Sequence, residues 1–248
     1  MKFKLVLIMF ILSLQQIDAQ SFRAEQLKYE RVRTSYAKKE HILLDRYKLK
    51  GFQSLSNQIF LRAFKESSEL ELWVKDTKSK KFILIHTYSI CAKSGELGPK
   101  REEGDGQVPE GFYSIERFNP VSNYYISLGV SYPNSSDRIL GNKKHLGGDI
   151  FIHGNCVTIG CLPLTDAFIM EVYIACVEAR NNGQKVIPVH IFPYRMTTKE
   201  HLTKCNQHKI NSKLCLFWNN LKQGYDFFEQ KKTLPIVTTD KQGRYLIK

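Results

Sequence analysis

Beyond its first fourteen residues the chain of 248 has no apolar run long enough to cross a bilayer, which excludes a bundle of membrane helices. Its six cysteines (91, 156, 161, 176, 205 and 215) are too few for a disulfide scaffold at this length. None forms a C-x-x-C pair, so a zinc knuckle is disfavoured. No internal repeat and no low-complexity linker interrupts the sequence, and one domain with terminal additions is the economical reading. Acidic residues are also scarce: 24 Asp and Glu face 37 Lys and Arg, for a formal charge of +13. For an exported protein that excess favours anionic envelope polymers, or substrates with free carboxylates, over nucleic acid; a generally solvated basic surface is the alternative.

Export is read from the beginning of the chain. Lys2 and Lys4 precede an apolar core from Leu5 to Leu14, and Ile17-Asp18-Ala19 supplies a small residue at a cleavage position. Residues 1–19 are expected to be a signal peptide, with an uncleaved anchor as the alternative and the periplasm or cell envelope as destination. No cysteine lies before Cys91, which excludes a lipidated N-terminal cysteine after cleavage. No stable membrane span is expected once the signal is removed.

Residues 20–57 read as an N-terminal helical segment, with Leu27, Val32, Tyr36, Ile42 and Leu43 at roughly helical spacing. Strand patterns follow at 59–64 and 70–74, then a turn at 76–80 and a return at 82–85, giving a hairpin in an antiparallel sheet. Glycine and proline between Ser94 and Gly111 predict a loop with fixed turns, and strands follow near 112–115 and 124–128. Ile169, Val172, Tyr173 and Cys176 predict a helix over 166–181, with Thr165 as N-cap, Gly183 past its end and Cys176 in the core. Residues 186–192 read as a strand whose Pro188 suggests an edge position. Two helices and a hairpin through 240–243 complete an extension over 197–248.

The chemistry concentrates between Phe151 and Asp166. His153 follows an apolar strand, and Gly160-Cys161 precedes the predicted helix. A cysteine nucleophile needs a populated thiolate, which a nearby histidine and a helix N-terminus both favour. Cys161 is therefore the candidate nucleophile and His153 its base, with the amides of Gly160 and Cys161 as an oxyanion hole. Cys156 is the rival nucleophile. Zinc bound by His153, Cys156 and Cys161, or a structural role for the two cysteines as a small disulfide or buried thiols, are the other readings of the same residues.

The order Ile152-His153-Gly154, then Thr158-Ile159-Gly160-Cys161, resembles the signature of the YkuD-type L,D-transpeptidase catalytic domain, in particular its YafK-like branch. Ser94 to Lys100, Gly104-Asp105-Gly106, Pro109 to Tyr113, Tyr132-Pro133-Asn134 and Ile187 to Pro193 extend the likeness, which runs from about Ile59 to Arg195. The resemblance implies an α+β, β-rich fold with flanking helices and a catalytic domain over 58–196. It implies that Cys161 is acylated, His153 exchanges the proton, Gly154 orients that histidine and Thr158 fills the Ser/Thr position. It also implies peptidoglycan stem peptides as substrate, with an amine or water, or an envelope protein, as acceptor or leaving group. No metal and no cofactor is called for. Ile159 stands where many relatives carry histidine and Pro163 where many carry a polar or basic residue, which leaves Lys100, Arg138 and Lys144 as candidates to bind the substrate carboxylate. A hydrolase using the same pair, a papain-like peptidase pairing Cys161 with His190, and an inactive wall-binding module are the competing functions.

Overall fold

A computed structural model describes residues 21–208 and 212–248; the expected signal peptide lies outside the described residues. The N-terminal segment forms α1 (Phe22–Gln26) and α2 (Glu30–Lys48). A meander follows: β1 (Ile59–Phe64), β2 (Glu69–Lys75) and β3 (Phe82–Ser89). Next come β4 (Gly111–Asn119), β5 (Ser127–Val130) and the short α3 (Ser135–Leu140). The chemistry-bearing stretch supplies β6 (Phe151–His153) and β7 (Leu162–Pro163), and leads into α4 (Asp166–Asn181). The chain ends with β8 (Ile187–Phe192), α5 (Thr198–Gln207), α6 (Ser212–Lys231) and a hairpin of β9 (Val237–Thr239) and β10 (Tyr245–Ile247).

Eight strands make one sheet in the order β3-β2-β1-β8-β4-β5-β6-β7. The sheet is mixed, not antiparallel as the hairpin pattern suggested: β1 with β8 and β6 with β7 are parallel. Every residue of β1 is buried because both sheet faces are covered. Ile59, Leu61 and Ala63 join α4 and α2 in the main core, while Phe60 and Phe64 meet Phe228 and Trp218 of α6 on the other face. Arg62 shares that second face and is fully buried, held by Glu71 at 2.7 Å and Glu229 at 2.6 Å. A charge so deep stays only because both carboxylates meet it.

β8 corrects the edge expectation drawn from Pro188. The strand lies at the centre, between β1 and β4. Its parallel ladder with β1 begins only at Val189, so the proline without an N–H falls just outside it. α3 was not legible as a helix. Its start is a capping box, in which Asn134 Oδ1 accepts the Asp137 N–H and Asp137 Oδ2 accepts the Asn134 N–H. α4 spans the residues its periodicity predicts, though Thr165 caps it without a side-chain hydrogen bond.

Candidate active site

β7 is the last strand of the sheet, and Cys161 is the residue just before it. Ile152 lies opposite Leu162 and His153 opposite Pro163 in the parallel β6–β7 pair. One residue back, that register sets Cys161 opposite Phe151. Strand alternation then turns Phe151, His153 and Cys161 towards one face. The Phe151 N–H donates to Cys161 Sγ at 3.4 Å, and the thiol contacts the Asp149 carbonyl at 3.6 Å. Burial pushes the Cys161 thiol above its ordinary value; the Phe151 N–H pulls it back, the Asp149 charge adds to the rise and the Lys100 ammonium opposes it. The group therefore rests as a neutral thiol. In the chain, β7 stands between Cys161 and the start of α4.

His153 is buried, and the Tyr124 ring lies over it at 4.7 Å between centroids. Its Nδ1 lies 2.5 Å from the Gly154 carbonyl. A carbonyl only accepts, so Nδ1 carries the proton and Nε2 keeps a lone pair. Burial holds the imidazole below its ordinary value, partly offset by the bond to Gly154. The ring is thus neutral near pH 7, the state a base requires. Among the described residues His153 and Cys161 share no hydrogen bond; the thiol is turned to Asp149 instead.

Glycine is required at 154. A Cβ there would stand 2.6 Å from Asp166 Oδ1 and 3.0 Å from the Tyr124 carbonyl. Asp166 Oδ1 also accepts the Asn155 N–H at 2.9 Å, fixing the chain as it leaves β6. Thr158 organises the approach to Cys161. Its Oγ1 accepts the N–H groups of Gly160 at 3.1 Å and Cys161 at 2.8 Å, and donates to the Cys161 carbonyl at 2.9 Å. Neither of the two amides expected to face an oxyanion is free in this resting arrangement. The Thr158 hydroxyl occupies both.

Of the cations expected at the substrate carboxylate, Lys100 is near enough to act on the Cys161 thiol. Lys100 is buried, not exposed, and its Nζ is taken by Asp105 Oδ1 at 2.6 Å and the Glu102 carbonyl at 2.7 Å. Arg138 and Lys144 are exposed, and neither lines the cleft that holds Cys161. That cleft, of about 300 Å³, is walled by Lys65, Ser68, Lys93, Ser94 and Glu96. Sequence reading took 94–100 as part of a loop and of the family likeness, and passed over Lys65 and Ser68. The Lys65 ammonium knits the walls through the carbonyls of Gly98 and Val108 and the carboxylate of Glu110. Ser68 has a buried hydroxyl without a hydrogen-bond partner among the described residues and a φ of 55°, a conformation uncommon outside glycine.

The rival readings lose their residues. Cys156 is bonded to Cys91, sixty-five positions earlier in the chain, so it is neither a nucleophile nor the partner of Cys161. Cys205 and Cys215 form a second bridge, while Cys161 and Cys176 are free thiols and Cys176 is buried in the core. No three metal-ligating side chains converge among the described residues. His190 lies in β8, four strands from β7, buried between Phe60 and Phe112, where it cannot serve Cys161.

No family profile matches the chain. A protein of Escherichia coli K12, "Putative L,D-transpeptidase YafK", is 38% identical over 197 residues, covering 79% of this chain and 76% of the relative. Its counterpart of the same name in strain O157:H7 matches equally. Among solved structures, the helical cell shape determining protein Pgp2 of Campylobacter jejuni aligns over 75% of this chain and 73% of its own, with 17% identity and a TM-score of 0.45. Bd1075 of Bdellovibrio bacteriovorus aligns over 69% and 62%, with 17% identity and a TM-score of 0.40. At 38% identity over 79% of this chain and 76% of the relative, the likeness to YafK makes the chain a member of the L,D-transpeptidase family in its YafK-like branch.

Proposed function

We propose that the chain is an exported cysteine acyltransferase that acts on peptidoglycan stem peptides through a Cys161 thioester. The observation that carries this reading is the pairing on one sheet edge of a free thiol at a cleft and a neutral histidine whose Nε2 keeps its lone pair. The kinship with an L,D-transpeptidase by name supports the substrate class.

In the proposed reaction Cys161 swings from Asp149 and gives its proton to His153 Nε2. The thiolate attacks the carbonyl of the diaminoacid at stem position three. The tetrahedral intermediate collapses to a thioester, and the residue that follows leaves as an amine, taking the proton back from His153. An acceptor then attacks the thioester: an amine yields a cross-link or an attached envelope protein, and water yields a shortened stem. Thr158 holds the Gly160–Cys161 turn, and Gly154 fixes the histidine through its carbonyl.

The test is incubation with purified disaccharide-tetrapeptide beside Cys161→Ala, read by mass spectrometry. Loss of the terminal residue by the unmodified chain alone supports the reading, and the product mass names the acceptor. Equal loss with Cys161→Ala refutes it.

A further inference from the structure

The excess of positive charge has a location that the reaction does not use. Between α6 and the β9–β10 hairpin runs a groove of about 710 Å³, lined by Leu140, Leu216, Phe217 and Leu246, with Lys213 and Arg244 in its walls and no acidic side chain. Strand alternation explains the leucine of the hairpin. Tyr245 and Ile247 pack inward against Trp218 and its neighbours, which turns Leu246 out. Leu216 lies on the outer side of α6, whose inner side supplies Trp218, Leu221 and Tyr225. Leu216 is 67% exposed and Leu140 and Leu246 each 44%, so these are projecting apolar side chains and not grazed edges of the core. Ile139 joins them: a Cβ on Gly243 would touch both Ile139 and Leu140, which shows that α3 and the hairpin turn are in contact.

Cations surround the leucines. Arg138, Lys213 and Lys241 are exposed and have no ion-pair partner among the described residues. Arg244 is exposed and pairs with Asp240, the acid of the same turn; Asp137 of α3 is buried and committed to Arg101. Exposed leucines ringed by unpaired lysine and arginine combine two attractions that a single phase satisfies together. Anionic headgroups take the cations, and the hydrocarbon boundary takes the leucines. A soluble polyanion would answer only the first, and a scattered solvated surface would not gather its leucines in one groove.

We propose that this face, built from α3, the first turns of α6 and the β9–β10 hairpin, docks the protein on an anionic phospholipid membrane surface. Arg138, Lys213, Lys241 and Arg244 meet lipid phosphates while Leu140, Leu216 and Leu246 enter the headgroup–acyl boundary. The contact is peripheral, consistent with no described helix being long and apolar enough to cross. It leaves the Cys161 cleft outside the contact, since the two share no lining residue.

The test is co-sedimentation of residues 20–248, which carry every described element, with vesicles of phosphatidylglycerol and phosphatidylcholine, or of phosphatidylcholine alone. The expected result is at least roughly tenfold stronger partition to the anionic vesicles, lost by about tenfold in Leu216→Ser/Leu246→Ser and in Lys213→Glu/Lys241→Glu. Unchanged thermal unfolding and unchanged alkylation of Cys161 in both variants show that the fold and cleft are intact. Equal partition to both vesicle types overturns the proposal. So does undiminished binding of the leucine variant, which would mark the face as one for a soluble anionic polymer.

Discussion

Thr158→Val is the substitution that separates a turn organiser from a bystander. Valine keeps the shape of threonine and replaces the hydroxyl by a methyl group. Three hydrogen bonds disappear, to the N–H groups of Gly160 and Cys161 and to the Cys161 carbonyl, all between 2.8 and 3.1 Å. At about 1 kcal/mol net for each, and less where water reaches the half-buried site, the loss is about 2–3 kcal/mol. The turn also holds Gly160 at φ +138°, a conformation open to glycine and strained for a residue with a side chain. If the loss falls on the turn alone, the competent arrangement becomes a minor population and kcat/KM drops roughly 30- to 160-fold. If part falls on the whole domain, the melting temperature also falls, by roughly 2–4 °C for each kcal/mol. Thr158→Ser keeps the oxygen and should stay within about threefold of the parent. The assays are kcat/KM on a stem tetrapeptide and thermal unfolding of both variants. A valine variant with the parent's kcat/KM would show that the hydroxyl does not organise the nucleophile, and the reasoning would fail.

Other expectations concern protons and the cross-link. Because burial holds His153 below its ordinary value, its neutral form persists to lower pH, and the acid limb of kcat/KM should lie below about 6.5; a limb at or above pH 7 would contradict that. His190 is pushed down to about 3 by burial and by the Arg62 charge. The unfolded chain takes up this proton below about pH 6.5 and the folded one only near the depressed value. Stability present above about pH 6.5 is therefore lost as pH falls, at up to roughly 1.4 kcal/mol per pH unit. His190→Phe should flatten that slope in urea melts between pH 7 and 4, and an unchanged slope would exclude His190 as its source. Cys91–Cys156 closes a 65-residue separation, so loop entropy predicts a loss of about 4 kcal/mol on its removal. Cys91→Ala/Cys156→Ala should show it as a lower urea midpoint, and an unshifted midpoint would mean that the bridge constrains little.

Local pattern was legible wherever one element satisfies its own periodicity. α4 could be bounded from Ile169, Val172, Tyr173 and Cys176 because a single helical face carries the signal. The motif residues His153 and Cys161 could be named because they follow closely in one stretch, and the sheet then sets them on adjacent strands. Non-local pairing was not legible. Pro188 looked like an edge signal, since sequence does not say that the ladder with β1 starts one residue later. Lys100 looked free to meet a substrate carboxylate because its partner Asp105 makes sense only once the loop closes around it. Cys156 looked like a rival nucleophile until Cys91, far away in sequence, proved to be its partner. For α3 a signal existed, Asn134 followed three residues later by Asp137, but the helix is six residues long and too short for periodicity to speak.

The central claim is that Cys161 becomes acylated by a stem peptide with His153 as its base. Intact-protein mass spectrometry after rapid quenching tests it directly, followed by peptide mapping. The account predicts a mass increase equal to the acyl part of the stem peptide, mapped to the peptide containing Cys161. It should be absent in Cys161→Ala and slowed about a hundredfold or more in His153→Ala. An adduct on another residue, or full-rate acylation without His153, would contradict it.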